Sequence, residues 1–275
     1  ESVSDSILDC LSEWKVSRLS LGVQTFDDPR LISLGRNHSA ETAVRGYERL
    51  RRRGFENINL DLMCAFPQQT FPELESDLQK LVALNPEHAS IYTLSVEKNS
   101  RFFTKNVQLP NDHAIADQYE MIRAYLDRHG LRQYEVSNFS IPGFESLHNS
   151  NYWRMEPYIG LGMGAHSFYQ NRRYHNPPKL MEYLKLDHKT FPCISKCATI
   201  PPEVLLVDHI CFGLRLNEGL DLQELQHKTG CRLEGSKRQM LESWCEEGWL
   251  SNEGARYRLT DRGRLILDEL CAKII

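Results

Sequence analysis

The 275-residue chain has no apolar run approaching the roughly 20 residues that a helix needs to cross a bilayer. Glu1 to Asp9 offers neither a basic n-region nor an apolar h-region, so a secretory signal is not read there. A soluble, cytoplasm-like protein is expected. Basic charge is not in excess: 33 Lys plus Arg stand against 37 Asp plus Glu, which excludes a dominant electrostatic pull toward nucleic acid or anionic lipid. The eight cysteines (Cys10, Cys64, Cys193, Cys197, Cys211, Cys231, Cys245, Cys271) have no disulfide-like spacing, and reduced thiols are expected. Cys193 and Cys197 form a C-x-x-x-C pair, yet no third cysteine lies nearby to complete a cluster or a zinc site. Internal repeats and low-complexity segments are also missing, which leaves a globular reading. A hydrophobic content of 41% supports one large or two ordinary domains.

The most informative stretch is His148-Asn149-Ser150-Asn151-Tyr152-Trp153, followed by the glycine-punctuated Tyr158 to His166. Each glycine gives up backbone entropy, so this stretch is too costly to be filler and reads as a site. A neutral imidazole at His148 is a good iron ligand, and Tyr152 and Trp153 offer flat apolar faces to a porphyrin or another planar ligand. Asn149 and Asn151 tolerate left-handed backbone. The alternative is a tight turn in which Tyr152 and Trp153 are core anchors and His148 is merely hydrogen-bonded.

Periodicity gives the chain its order. Ile7 to Trp14 predicts a short helix, and Arg18 to Gln24 a strand alternating Leu19, Leu21 and Val23 with Ser20, Gly22 and Gln24. A helix capped by Ser39 runs to Arg53; its cluster of Arg49, Arg51, Arg52 and Arg53 before Gly54 complements a helix C-terminus better than it makes a basic patch. Asn57 to Met63 is a second alternating strand, with Asn57, Asn59 and Asp61 on one face. Thr70 and Glu73 form a capping box that opens the next helix. Ser90 to Glu97 is read as a third strand with Thr93, Ser95 and Glu97 on one face. Strands separated by helices predict a parallel sheet, and three polar strand faces predict a barrel or half-barrel around a wet lumen. Gln24, Asp61 and Ser95 are expected to look inward near the C-terminal strand ends.

Asp112 to His129 predicts another helix, and Gln133 to Phe139 a strand. After Pro177-Pro178 the pattern changes: helices at 202–215, 222–229 and 233–247, a short strand at 257–259 and a last helix from Asp261 resemble a winged helix. Acidic residues outnumber basic ones there, 13 to 10 between Ile200 and Ile275, so the module is expected to serve packing or a partner, not phosphate binding. The prolines place a boundary between domains 1–177 and 178–275.

Taken together, Arg18-Leu-Ser-Leu-Gly-Val-Gln24, Leu34-Gly-Arg36 with His38, Ile58-Asn-Leu-Asp61-Leu-Met63 followed by Pro67 and Gln69-Thr70, Gln133 to Phe139, and the HNSNYW motif resemble the HemW family. Its members are radical S-adenosylmethionine (SAM) proteins related to the oxygen-independent coproporphyrinogen III dehydrogenase HemN. The resemblance covers nearly the whole chain and is strongest from Arg18 to His166. It implies an α/β fold: part of a radical SAM (β/α)6 barrel followed by a small winged-helix-like domain. It also implies that Gln24, Arg36 and Asp61 hold SAM, with Arg36 forking onto a carboxylate while Gln24 and Asp61 accept from ammonium or ribose. His148, Asn149, Asn151, Tyr152 and Trp153 become a haem motif with His148 as candidate iron ligand, while His166 has no such support.

The family's C-x-x-x-C-x-x-C motif, which holds a 4Fe-4S cluster, is absent, as are its glycine-rich segment and Glu-x-Asn-Pro. The resemblance therefore implies the last three of six barrel strands and an open edge near Arg18 to Gln24. This polypeptide alone is expected neither to assemble the cluster nor to cleave SAM, and no catalytic residue is assigned. The function expected is that of a haem chaperone passing haem to an unidentified acceptor, membrane-associated or soluble. The alternatives are coproporphyrinogen III oxidation and, further off, winged-helix binding of nucleic acid.

Overall fold

A computed structural model describes residues 3–98, 100–186 and 197–275. Cys193 lies outside the described residues. The chain divides into Glu1–Glu145 and Ser146–Ile275.

The first unit runs α1 (Asp5–Glu13), β1 (Leu19–Gln24), α2 (Asp28–Ser33), α3 (Ala40–Arg52), β2 (Ile58–Cys64), α4 (Phe71–Ala83), β3 (His88–Thr93), α5 (Arg101–Thr104), α6 (Asp112–Arg128), β4 (Arg132–Glu135) and β5 (Asn138–Ser140). The sheet order is β1-β2-β3-β5-β4, with β1, β2 and β3 parallel and β5 antiparallel to both its neighbours. Helix starts follow the sequence: Ser39 accepts the Thr42 N–H at 3.2 Å, and Glu73 accepts the Thr70 N–H at 2.8 Å in the expected capping box. The arginines ending α3 reach outward as clamps, Arg51 to Glu87 at 2.7 Å and Arg53 to Asp9 at 2.6 Å.

Strand alternation sets the layers. Ile58, Leu60, Leu62, Ala89, Ile91 and Phe139 form one face and pack against Tyr47 and Leu50 of α3, Leu74, Leu78 and Leu81 of α4, and Ile122 and Leu126 of α6. Each such side chain contributes about 1.5–3 kcal/mol on leaving water. The opposite face carries a hydrogen-bonded polar network centred on Asn59. Its amide donates to Ser20 Oγ (2.7 Å) and to Asp61 (2.6 Å), and its carbonyl accepts from His88 Nδ1 (2.6 Å) and Ser90 Oγ (3.1 Å). His88 Nε2 meets Tyr134 Oη at 2.9 Å.

Two expectations about this sheet need correction. The polar face of β3 is His88, Ser90 and Tyr92, because Asn59 pairs with His88 and Asp61 with Ser90 in the ladder. Thr93 instead lies on the apolar side near Cys64, and Ser95, past the strand end, donates to Glu97 at 3.2 Å. Gln133 to Phe139 is not one strand but the turn of the β4–β5 hairpin. The buried Glu135 carboxylate accepts the Ser137 N–H at 3.0 Å and the Asn138 amide, and thereby closes the turn.

The second unit contains α7 (Leu147–Trp153), the hairpin β6 (His166–Tyr169) and β7 (Arg172–His175), and α8 (Leu180–Tyr183). These are followed by α9 (Pro202–Gly213), β8 (Leu220–Asp221), α10 (Leu222–Thr229), α11 (Gly235–Glu246), β9 (Leu250–Glu253), β10 (Arg256–Leu259), α12 (Asp261–Leu265) and α13 (Leu267–Ile274). Helix, strand, two helices and the β9–β10 wing, with β10 central in the sheet, are a winged-helix arrangement. The division falls before α7, not at Pro177-Pro178. Arg154 pairs with Glu218 (2.8 Å), Lys228 with Glu156 (2.9 Å) and Arg173 with Asp208 (3.0 Å), so residues 146–177 fold onto the C-terminal module. Pro177 sits inside this unit, its carbonyl accepting from Gly164 at 2.9 Å.

Burial, with the Arg18 charge adding to it, pushes the His88 imidazole down to about 3. A depressed histidine contributes stability that is full above its unfolded value near 6.5 and is lost as pH falls from there toward 3. Urea unfolding between pH 7 and 4 is expected to show this loss, and His88→Gln to flatten it; equal slopes for parent and variant would contradict the assignment.

Candidate functional site

On the first unit two of the three residues implied for SAM, Gln24 and Asp61, meet at Gly22, while Arg36 lines a cleft that Gly22 borders. Gly22 pairs directly with Asp61, and the ladder then slips so that Gln24 faces Leu62. At this slip Gln24 takes a left-handed backbone (φ 70°), which costs a non-glycine residue on the order of 1 kcal/mol. Its side chain folds back over Gly22: a Cβ there would lie 2.7 Å from Gln24 Nε2. A glycine inside a strand marks such a close approach. The strand exit is pinned by Asp77, buried in α4, which accepts from Thr25 Oγ1 (2.6 Å) and the Phe26 N–H (2.9 Å). Burial raises the Asp77 carboxyl in spite of both bonds.

Asp61 keeps acceptor capacity after taking bonds from Ser20 (3.0 Å) and Asn59. Arg36 is exposed, makes no ion pair among the described residues, and lines a cleft of about 830 Å³ with Leu21, Gly22, Gly35 and His38. His38 Nε2 meets the Val23 carbonyl at 3.3 Å and ties the Arg36 loop to β1. Asp61 opposite Gly22 and the Gln24 amide over it offer acceptors to an ammonium or hydroxyl, and the Arg36 guanidinium in the adjoining cleft offers a fork to a carboxylate. Sequence reading missed Gly22 as the meeting point and Asp77 as its support; Gly inside an alternating strand was the available signal.

On the second unit the HNSNYW motif is a helix, not a turn. Ser146 caps it by accepting the Asn149 N–H at 3.3 Å, and the left-handed residue is Met155 (φ 55°), one turn beyond, so Asn149 and Asn151 are helical. His148 and Asn151 are exposed and Asn149 half-buried. The His148 ring stands edge-on to Tyr152 at 4.8 Å, and Tyr152 edge-on to Tyr158 at 4.6 Å, an aromatic step leading from the exposed imidazole. Trp153 turns the other way. Its ring lies 5.9 Å from Phe212 and beneath the Arg215 guanidinium at 4.6 Å, so it anchors α7 to α9.

The glycine-punctuated segment is stitched to the hairpin. Tyr158 bridges Phe168, and Gly160 donates to Ser167 Oγ at 2.9 Å. Only glycine fits at 160, where a Cβ would fall 2.1 Å from the His166 carbonyl oxygen. Asn176, fully buried, donates to the Gly160 (3.1 Å) and Gly162 (2.8 Å) carbonyls, a clamp that no spacing or pattern announces. His166 and His175 stand side by side on the hairpin with ring centroids 5.3 Å apart.

Among the described residues the donors present do not fit an iron–sulfur cluster. Cys64 is buried with its thiol pushed up to about 11, and among the described residues no group of three or more His, Cys, Asp or Glu converges to hold a metal ion. A single exposed imidazole beside an aromatic step does fit a haem, which needs one strong axial nitrogen and an apolar edge.

Comparison with known proteins agrees with both units. Residues 2–81 match the radical SAM superfamily and residues 200–266 the HemN C-terminal domain. The solved structure of the Escherichia coli coproporphyrinogen III oxidase HemN superposes with a TM-score of 0.79 at 18% identity, covering 100% of this chain and 67% of that one. Parallel strands with a polar inner face and helices outside are thus those of a radical SAM protein. The heme chaperone HemW of Bacillus subtilis is 35% identical over 98% of this chain and 72% of its own length, and that of Escherichia coli 32% over 93% and 67%. The chain belongs to the HemW family. A mitochondrial radical S-adenosyl methionine domain-containing protein 1 from Bos taurus is 31% identical over 100% of the chain and 65% of its own length.

Two substitutions separate anchor from ligand. Trp153→Ala is expected to lower stability by about 3 kcal/mol, the low end for truncating a large aromatic. His148→Ala, at an exposed position, is expected to stay within about 0.5 kcal/mol of the parent. Chemical denaturation reads both, and equal losses would contradict the division of roles.

Proposed function

We propose that the chain is a haem chaperone that holds haem against α7, with His148 as iron ligand and Tyr152 along the porphyrin edge, and passes it to an acceptor protein. One observation carries this reading: His148 is exposed, free of hydrogen-bond partners among the described residues, and set edge-on against the Tyr152–Tyr158 step. Both of its ring nitrogens are thus open to a ligand from outside the protein. Asn149 and Asn151 flank it, and Trp153 holds the helix in place from behind. Heme chaperones are among the relatives that match over most of the chain, which supports the same reading. Surface exposure of the ligand suits transfer, since a carrier must release what it binds.

Gln24, Arg36 and Asp61 are proposed to hold SAM around Gly22, the guanidinium on its carboxylate and the two acceptors toward ammonium or ribose. SAM would supply a sulfonium when bound. Coproporphyrinogen oxidation is the weaker reading, because the chain's donors do not assemble a cluster site. Nucleic-acid binding is weaker still. On α11 Arg238 pairs with Glu242 (2.7 Å) and Lys237 reaches the Ile274 carbonyl, while on the wing Arg256 pairs with Asp221 (2.9 Å). These cations are engaged within the module. Among the described residues no helix is long and apolar enough to cross a membrane, so an acceptor in a membrane would be met at its surface.

Haem titration followed by visible absorption tests the proposal. The parent is expected to saturate at one haem per chain, His148→Ala to weaken binding at least about tenfold with a shifted spectrum, and His166→Ala to do less. Parent-like binding by His148→Ala would remove the ligand assignment. In parallel, Gly22→Ala is expected to keep the fold, since only the flexible Gln24 amide must move, while weakening SAM binding measured by calorimetry.

A further inference from the structure

The β6–β7 hairpin carries two imidazoles that the haem reading does not use. His166 and His175 are directly opposed in the antiparallel ladder, and the adjacent Asn176 N–H donates to the Ala165 carbonyl, so the histidines occupy a non-hydrogen-bonded position, where side chains stand closest. Both are exposed, and their ring centroids lie 5.3 Å apart. His175 Nδ1 donates to the Asn176 carbonyl at 3.0 Å, which leaves Nε2 as its lone-pair nitrogen. Asn176 is itself immobilised by its bonds to Gly160 and Gly162, so this outer partner fixes the ring as second-layer carbonyls fix metal-bound histidines. The nearest cation on the same face, Arg173, is neutralised by Asp208 at 3.0 Å.

We propose that His166 and His175 chelate one divalent transition-metal ion of the zinc class, with water completing its coordination. An ion about 2.0–2.1 Å from each ring nitrogen sits roughly 3.2 Å from each ring centroid. At the 5.3 Å separation the two rings therefore subtend about 110° at the ion, a tetrahedral angle. The same geometry excludes the pair as the two axial ligands of one haem, which stand opposite each other at roughly 180° and would put the centroids about 6.4 Å apart. The pair is thus matched to a free ion, not to porphyrin iron, and the ion would cross-link β6 to β7 without engaging α7.

The test is a calorimetric titration of the full chain with Zn2+ alone, with Co2+ absorption as a readout of ligand geometry. The parent is expected to bind one ion that His166→Ala and His175→Ala each weaken at least about tenfold. His113→Ala, at an exposed histidine on α6, is expected to leave that binding unchanged. The Co2+ form should show tetrahedral visible bands that either hairpin variant abolishes. Equal Zn2+ affinity in parent and hairpin variants overturns the proposal. So does loss of haem binding in both hairpin variants with Zn2+ binding unaltered, which would reassign the imidazoles to haem.

Discussion

The polar side of a parallel sheet has to satisfy its own hydrogen bonds, and in the first unit that demand converges on the carboxamide of Asn59. Its amide and carbonyl reach β1, β2 and β3 at once, through Ser20, Asp61, His88 and Ser90. Were any one of these unpaired, the buried group left behind would cost about 1–3 kcal/mol. The network therefore fixes the strand register as firmly as the apolar face does, and it holds Asp61 opposite Gly22, beside the Gln24 amide.

The architecture was legible wherever a periodicity or a cap carried it. Leu19, Leu21 and Val23 against Ser20 and Gly22, the Thr70–Glu73 box and the Ser39 cap all marked elements that the fold contains. Phase was less legible than existence. In β3 the small polar residues Ser90, Thr93 and Ser95 fit two alternations equally well, and only pairing with Asn59 and Asp61 selects His88, Ser90 and Tyr92 as the polar set. The Gln133 to Phe139 hairpin was hidden because the group that turns it, Glu135, is a buried carboxylate with no turn-forming glycine or proline beside it.

For the candidate sites, residue identity was readable and arrangement was not. Gln24 and Asp61 are far apart in sequence and meet only because a strand slip and a glycine bring them to one place. Trp153, outwardly the best planar platform in its motif, is taken up by Phe212 on α9 and Arg215 just past its end, two residues that periodicity alone could not link to it. Asn176 closes the glycine loop through bonds that leave no trace in spacing.

The fold onto which α7 docks has a consequence for how such proteins can be divided. The helix carrying His148 is less than two turns of backbone beyond its cap, too short to persist in water on its own. It is held by Trp153 and by ion pairs to the winged-helix module. The inheritable piece is thus motif plus module, and the seam for domain shuffling or for grafting this surface onto another scaffold lies after Glu145, not at the proline pair.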